Sequence, residues 1–224
     1  MSRFGVGAVS PLWDAGFSAN PFRALSDAEW ESDAIIPIEA QGVLQSAAHV
    51  QILGDAGRGK SSLLRAIVRE ARNAGSVAVY EYLPHDAIGY RSDVPSGAWF
   101  CLDEAQRLPH KERKRLLTQG RERRHRLIIA SHEDLSAWFE STGMSLVSLN
   151  LGNLGAAHFA AVLENRLAFF VRPFTPHATF APDALTWLHN RFGSDLRGAE
   201  RFLYEYFAAH IRAPITITAD ALSN

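Results

Sequence analysis

Eight residues, Gly54-Asp55-Ala56-Gly57-Arg58-Gly59-Lys60-Ser61, constrain this chain more than any other feature. They follow the spacing G-x-x-x-x-G-K-[ST] and lie between two stretches that read as different elements. His49-Val50-Gln51-Ile52-Leu53 is a short, β-favouring run, whereas Ser61 to Ala74 places Leu63, Leu64, Ile67 and Val68 at helical spacing. Glycines let the backbone turn its N–H groups inward as an anion nest, and the helix that follows adds the positive end of its dipole. Such a loop, with Ser62 just beyond it, is the expected cradle for nucleotide phosphates. Lys60 would reach the β- and γ-phosphates, and the Ser61 hydroxyl would ligate Mg²⁺.

The rest of the chain repeats the alternation. Val77–Tyr82, Ala98–Leu102, Leu127–Ala130 and Leu146–Asn150 read as further short apolar strands, with helices over Pro109–Gln119 and Glu133–Glu140. Short buried strands separated by helices imply a parallel sheet covered on both faces. Past Gly152 three helices are expected, at Ala156–Phe169, Pro182–Phe192 and Leu196–Ile211. The fold class is therefore α/β, a P-loop NTPase sheet of about five strands flanked by helices, with a C-terminal all-helical lid. The expected domains are an N-terminal extension (1–40), a P-loop core (41–152) and the lid (153–224). Within the extension, Ser26 and Glu29 have the spacing of a capping box.

Two strand ends carry further polar groups. Trp99-Phe100-Cys101-Leu102 ends in Asp103-Glu104. Asp103 would hold the Mg²⁺ shell, and Glu104 would orient or deprotonate an attacking water. The run to Ala130 delivers Ser131 and His132 to the same sheet edge, where ligands bind in open α/β sheets. Ser131 is the first choice for a γ-phosphate contact and His132 the second. A cap on the helix at Glu133 is the competing reading of Ser131.

In this order the motifs resemble those of the AAA+ ATPases over residues 40 to 212. Gly54–Ser61 is similar to their Walker A motif, Leu102-Asp103-Glu104 to Walker B, and Ser131 or His132 to sensor 1. Gly193-Ser194-Asp195-Leu196-Arg197 looks like sensor 2. The lid segments Leu163–Leu167 and Phe180–Leu185 are similar to compact AAA ATPases of the transposition-helper and secretion-helper type. The resemblance implies ATP and Mg²⁺ bound between core and lid. It implies Lys60, Glu104, Ser131 and Arg197 as catalytic residues, with Arg197 reporting loss of the γ-phosphate. One departure stands out: Asp134 to Asn150 has no Arg or Lys where the family usually carries an arginine finger.

Lys111-Glu112-Arg113-Lys114-Arg115 and Arg121-Glu122-Arg123-Arg124-His125-Arg126 form the most basic stretch. A solvated face, a displaced arginine finger and a nucleic-acid contact through Arg121, Arg123, Arg124 and Arg126 all remain open. The net charge of −1 gives no global field toward nucleic acid or acidic lipid. The single cysteine, Cys101, lies in an apolar run and reads as a buried thiol. Met1 to Pro11 lacks the pattern of a signal peptide, and no run reaches the ~18 apolar residues of a membrane span. The reading is a soluble cytoplasmic protein. Its function is an ATP-hydrolysing switch that couples nucleotide state to lid motion and to a protein partner or self-assembly. An ATP-occupancy-driven binding module with little turnover, DNA-associated in one version, is the alternative. A small-molecule kinase is a third.

Overall fold

The computed structural model describes residues 11–153 and 155–223. The reading of Met1 to Pro11 as lacking a signal sequence falls almost entirely outside them. In chain order the first elements are α1 (Pro11–Asp14), α2 (Asp27–Asp33), α3 (Ile38–Ser46), β1 (Val50–Leu53), α4 (Lys60–Asn73), β2 (Ala78–Tyr82) and β3 (Trp99–Asp103). Then come α5 (His110–Glu122), β4 (Arg126–Ser131), α6 (Ser136–Glu140), β5 (Val147–Asn150), α7 (Ala156–Phe170) and β6 (Thr179–Phe180). The last are α8 (Pro182–Phe192), α9 (Leu196–His210), β7 (Thr216–Ile217) and α10 (Ala219–Ser223). They form two compact units, one of residues 25–155 and one that joins 11–24 to 156–223.

The first unit is a five-stranded parallel sheet in the order β2-β3-β4-β1-β5. The strands are short and buried on both faces because helices cover both. Val50, Ile52, Cys101, Ile128 and Ala130 pack on Leu64, Ile67 and Val68 of α4. Phe100, Leu102, Leu127 and Ile129 pack on Leu116 and Leu117 of α5 and on Phe139 of α6. The register decides where chemistry can occur. Leu53 pairs with Ser131 and with Asn150, and Leu102 pairs with Ile129, so the carboxyl ends of β1, β3, β4 and β5 share one edge.

The capping box forms as its spacing requires. The Ser26 hydroxyl accepts from the Glu29 amide at 3.3 Å, and the Glu29 carboxylate accepts from the Ser26 amide at 2.9 Å. The helix it opens, α2, lies along α4. Trp30 Nε1 donates to Ser62 Oγ at 2.6 Å, and Arg65 pairs with Asp27 at 2.9 Å.

The second unit carries α7 to α10, with a two-residue parallel ladder between β6 and β7 that the helical periodicity did not reveal. Residues 25–40 group with the sheet, whereas 11–24 group with the C-terminal helices. The reason is aromatic. Phe17 and Phe22 are buried and meet Phe207 of α9 edge-on, with ring centroids 5.8 and 5.1 Å apart. A stretch this short cannot build a core of its own and buries its rings on α9 instead. Helix α9 is capped by Asp195, whose carboxylate accepts from the Gly198 amide at 3.0 Å; Ser194 lies one residue outside.

Candidate functional site

The phosphate-type loop connects β1 to α4. Gly57 and Gly59 have φ of 82° and 86°, a left-handed conformation that a side chain would strain. Gly59 is the N-cap of α4, and the first helical hydrogen bond runs from the Leu63 amide to the Gly59 carbonyl at 2.9 Å. The helix ladder therefore uses none of the amides before Leu63, and they remain at the positive end of α4. Ser61 is half-buried at this end. The Ser62 hydroxyl is engaged by Trp30. Exposed Asp55 and half-buried Arg58 form a long pair at 3.9 Å.

Lys60 is only 5% exposed. Its Nζ donates to the carbonyls of Gly54 at 2.6 Å and Asp55 at 3.0 Å, and lies 3.3 Å from His132 Nε2. That ring nitrogen is also 3.3 Å from Glu104 Oε1. The loop ammonium, the imidazole after β4 and the carboxylate after β3 thus make one line across the carboxyl edge of the sheet. Ser131 stands differently from His132. It is fully buried, and its hydroxyl accepts from the Glu133 amide at 2.9 Å, holding the turn that presents His132.

Asp103 is completely buried. Its Oδ2 accepts from Tyr80 Oη at 3.0 Å and its Oδ1 from the Glu104 amide at 3.0 Å. Burial and the adjacent carboxylate push the Tyr80 phenol well above its usual range, so it stays a donor. A carboxylate buried on two neutral donors suits a cation, and the Ser61 hydroxyl belongs to the neighbouring helix end. These residues fit Mg²⁺ and a polyphosphate. Among the described residues there is no cluster of three His, Cys, Asp or Glu side chains for a metal held by protein alone.

Glu104 has a φ of 58°. A non-glycine residue in this conformation costs about 1–2 kcal/mol, and strain of this kind concentrates at functional positions. Both of its oxygens are occupied. Oε2 meets Arg107 Nη2 at 3.0 Å and Gln106 Nε2 at 2.7 Å, and Oε1 faces His132. Arg107 in turn donates to Tyr82 Oη at 3.0 Å and to the Leu83 carbonyl at 2.7 Å.

Gln51, in the middle of β1, escaped the sequence reading. Fully buried, its Nε2 shares two N–H groups among Asp134 Oδ1, Ser136 Oγ and Ser148 Oγ at 2.6, 3.0 and 2.7 Å, and its Oε1 accepts from the buried Leu135 amide at 2.9 Å. It thereby ties the turn carrying His132 to the central strand. The available signal was a lone amide in an apolar strand, because a buried polar group demands partners.

Glu81 accepts from the amides of Arg91 and Ser92 at 2.7 and 2.9 Å and tethers the loop after β2. Asn20 and Phe22 pack within the second unit. Arg197, also in that unit, is exposed in the first turn of α9. The basic stretch divides. Arg113 donates to the Leu108 carbonyl, Arg115 pairs with Glu112, and Arg123 pairs with Asp93. Arg126 bonds the carbonyls of Leu44 and Ala47 and stacks on Trp99. Arg123 and Arg126, two of the four cations of the nucleic-acid reading, are engaged within the chain. Lys111, Lys114, Arg121 and Arg124 are exposed.

No protein-family model and no curated protein sequence matches this chain. Solved structures do. A RuvB variant from Thermotoga maritima superposes with a TM-score of 0.63 at 14% identity, over 87% of this chain and 71% of that one. NtrX from Brucella abortus in complex with ADP gives 0.55 at 14% identity, over 87% and 57%. The replication initiator DnaA bound to AMPPCP and single-stranded DNA gives 0.52 at 14% identity, over 84% and 67%. The chain has the AAA+ P-loop ATPase fold. In this fold Gly54–Ser61 is the loop between β1 and α4, and Asp103-Glu104 lies at the carboxyl end of β3. Among the described residues no helix is long and apolar enough to cross a membrane.

Proposed function

We propose that this chain is a Mg²⁺-dependent ATP phosphohydrolase of AAA+ type. The observation that carries the proposal is the line Lys60–His132–Glu104 along the carboxyl edge of the sheet, beside the amide-rich start of α4. The loop amides and Lys60 bind the phosphates. The Ser61 hydroxyl and the Asp103 carboxylate would hold Mg²⁺, which would supply charge neutralisation at the phosphates. Glu104 takes a proton from the water whose oxygen attacks the γ-phosphorus as the bond to the leaving β-phosphate oxygen breaks. His132 follows the state of this line because it touches both of its ends. Ser131 positions His132 in this scheme, and a direct γ-phosphate contact is its second role. The sensor role of Arg197 rests on its motif alone. Nucleotide state would be read out as lid motion, self-assembly or a protein partner, in the cytoplasm.

One observation favours the alternative. Glu104 has both oxygens occupied by Arg107, Gln106 and His132, and a carboxylate so engaged is a poor base until it is released. This supports a module that works by ATP occupancy with little turnover. Two fold relatives make DNA the first partner to test for either reading: a Holliday junction branch migration motor and an initiator bound to single-stranded DNA.

Phosphate release from purified protein, with no acceptor added, separates hydrolysis from a kinase. Glu104→Gln is expected to lower kcat by about 10²–10⁴-fold and to leave nucleotide binding intact. Parent turnover no faster than that of the variant sinks the hydrolase reading and leaves the occupancy module.

A further inference from the structure

The chain has three lysines. One is Lys60 in the phosphate loop; the other two, Lys111 and Lys114, lie on the outer face of α5. With Thr118 and Arg121 they repeat at intervals of three, four and three residues, one solvent-facing stripe about 15 Å long. All four side chains are exposed, while Leu116, Leu117 and Gly120 face the sheet. Arg124 extends the row beyond the helix end. Among the described residues, Lys111, Lys114, Arg121 and Arg124 have no ion pair or side-chain hydrogen bond. Their acidic surroundings are thin. Glu112 is taken by Arg115 and Asp93 by Arg123, which leaves Glu122 as the exposed acid on α5.

The end of α5 supplies a second, independent observation. The His125 amide donates to the Gly120 carbonyl at 2.8 Å and the Arg124 amide to the Arg121 carbonyl at 3.3 Å. This is a Schellman end, whose left-handed position is normally glycine. Here Arg124 occupies it with a φ of 56°. The chain strains its backbone to keep a guanidinium at the end of the stripe, and residues held in such conformations point to function.

We propose that Lys111, Lys114, Arg121 and Arg124 form a docking surface for the phosphodiester backbone of a nucleic acid. An acidic protein fits less well. Protein interfaces centre on desolvated aromatic or aliphatic anchors, and the exposed large hydrophobics of this structure include none on α5. Phosphate contacts need cations and no apolar core. The one amide side chain on α5, Gln119, accepts from Tyr90 Oη at 2.8 Å, so the affinity rests on the cations and their contacts to phosphate.

Salt titration of a fluorescent mixed-sequence duplex and of its single strand, with and without ATP, tests this. Four neutralised phosphates give a log–log slope of about −3.6 on duplex or about −2.8 on single strand. Affinity then falls roughly 150-fold or 50-fold between about 50 and 200 mM salt. The tighter affinity at one fixed salt concentration identifies the form preferred. Replacing Lys111, Lys114 and Arg121 singly with Gln should each remove about one phosphate from the slope, while Arg201→Gln, at an exposed position of α9, leaves it unchanged. Arg124→Gly should raise Tm by relieving the backbone and still weaken binding, a split that a structural role cannot produce. The proposal fails if the variant with all four cations changed to Gln keeps the parent slope, or if poly-glutamate binds as tightly as either DNA. It also fails if Arg124→Gly leaves DNA affinity unaltered. None of these readouts requires hydrolysis, so the ATPase proposal stands or falls separately.

Discussion

Replacing Gln51 with Leu tests whether the central strand positions the site. The new side chain fills nearly the same volume and can donate nothing. Three acceptors lose a bond, but Asp134 and Ser148 are exposed and Ser136 is half-buried, so all three rehydrate. Their combined loss is about 2 kcal/mol. The Leu135 amide is buried and left without its acceptor, which costs a further ~1–3 kcal/mol. Burying apolar Leu in place of an amide returns about 1 kcal/mol. The net destabilisation is about 3 kcal/mol, which for a chain of this size lowers Tm by roughly 6–12 °C. Calorimetry or circular dichroism reads the shift. The turn carrying His132 also loses its tie to β1, so kcat should fall at temperatures far below the new Tm. A Tm within about 1 °C of the parent, less than the ~0.5 kcal/mol typical of surface substitutions, refutes the reasoning. So does unchanged turnover.

Three further outcomes follow from buried groups and the capping box. The Cys101 thiol is fully buried and pushed up to about 12 by that burial, so thiol reagents at mildly alkaline pH should label it only as fast as the chain unfolds; rapid labelling of native protein would contradict this. Burial first, and then the Arg126 guanidinium, hold His49 below its ordinary value, and its Nδ1 accepts from the Leu127 amide at 3.1 Å. The native state therefore binds fewer protons: the stability from neutral His49 is complete above about pH 6.5 and lost as pH falls below it. Tm should drop between pH 7.5 and 5.5, and less so in His49→Gln. Ser26→Ala removes the cap on α2 and should cost about 1 kcal/mol, read by denaturant titration. No change would mean that α2 is held by Trp30, Arg65 and Arg72 alone.

Much of the first unit was legible because its rules are local. Five apolar runs became five strands, and the capping box closed between Ser26 and Glu29. The hidden parts depend on contacts far apart in sequence. Gln51 bonds residues 83 to 97 positions away, and nothing near it in the chain announces those partners. The basic stretch looked uniform, yet Arg126 is spent on carbonyls 79 and 82 residues away. Phe17 and Phe22 gave no sign that they would leave the sheet unit for α9.

The loop Gly54–Ser61 shows where the division falls. Its glycines, its lysine and the helix that follows act through bonds and dipoles a few residues apart, so the sequence alone determined that the chain carries an anion cradle on an α/β sheet. Which side chains face that cradle depended on strand order and register. Pairing β4 with both β1 and β3 brought His132 between Lys60 and Glu104 and left Ser131 buried, closing the turn to Glu133. Those positions are set by packing and by the need of each buried polar group for a partner, which only the folded chain can supply.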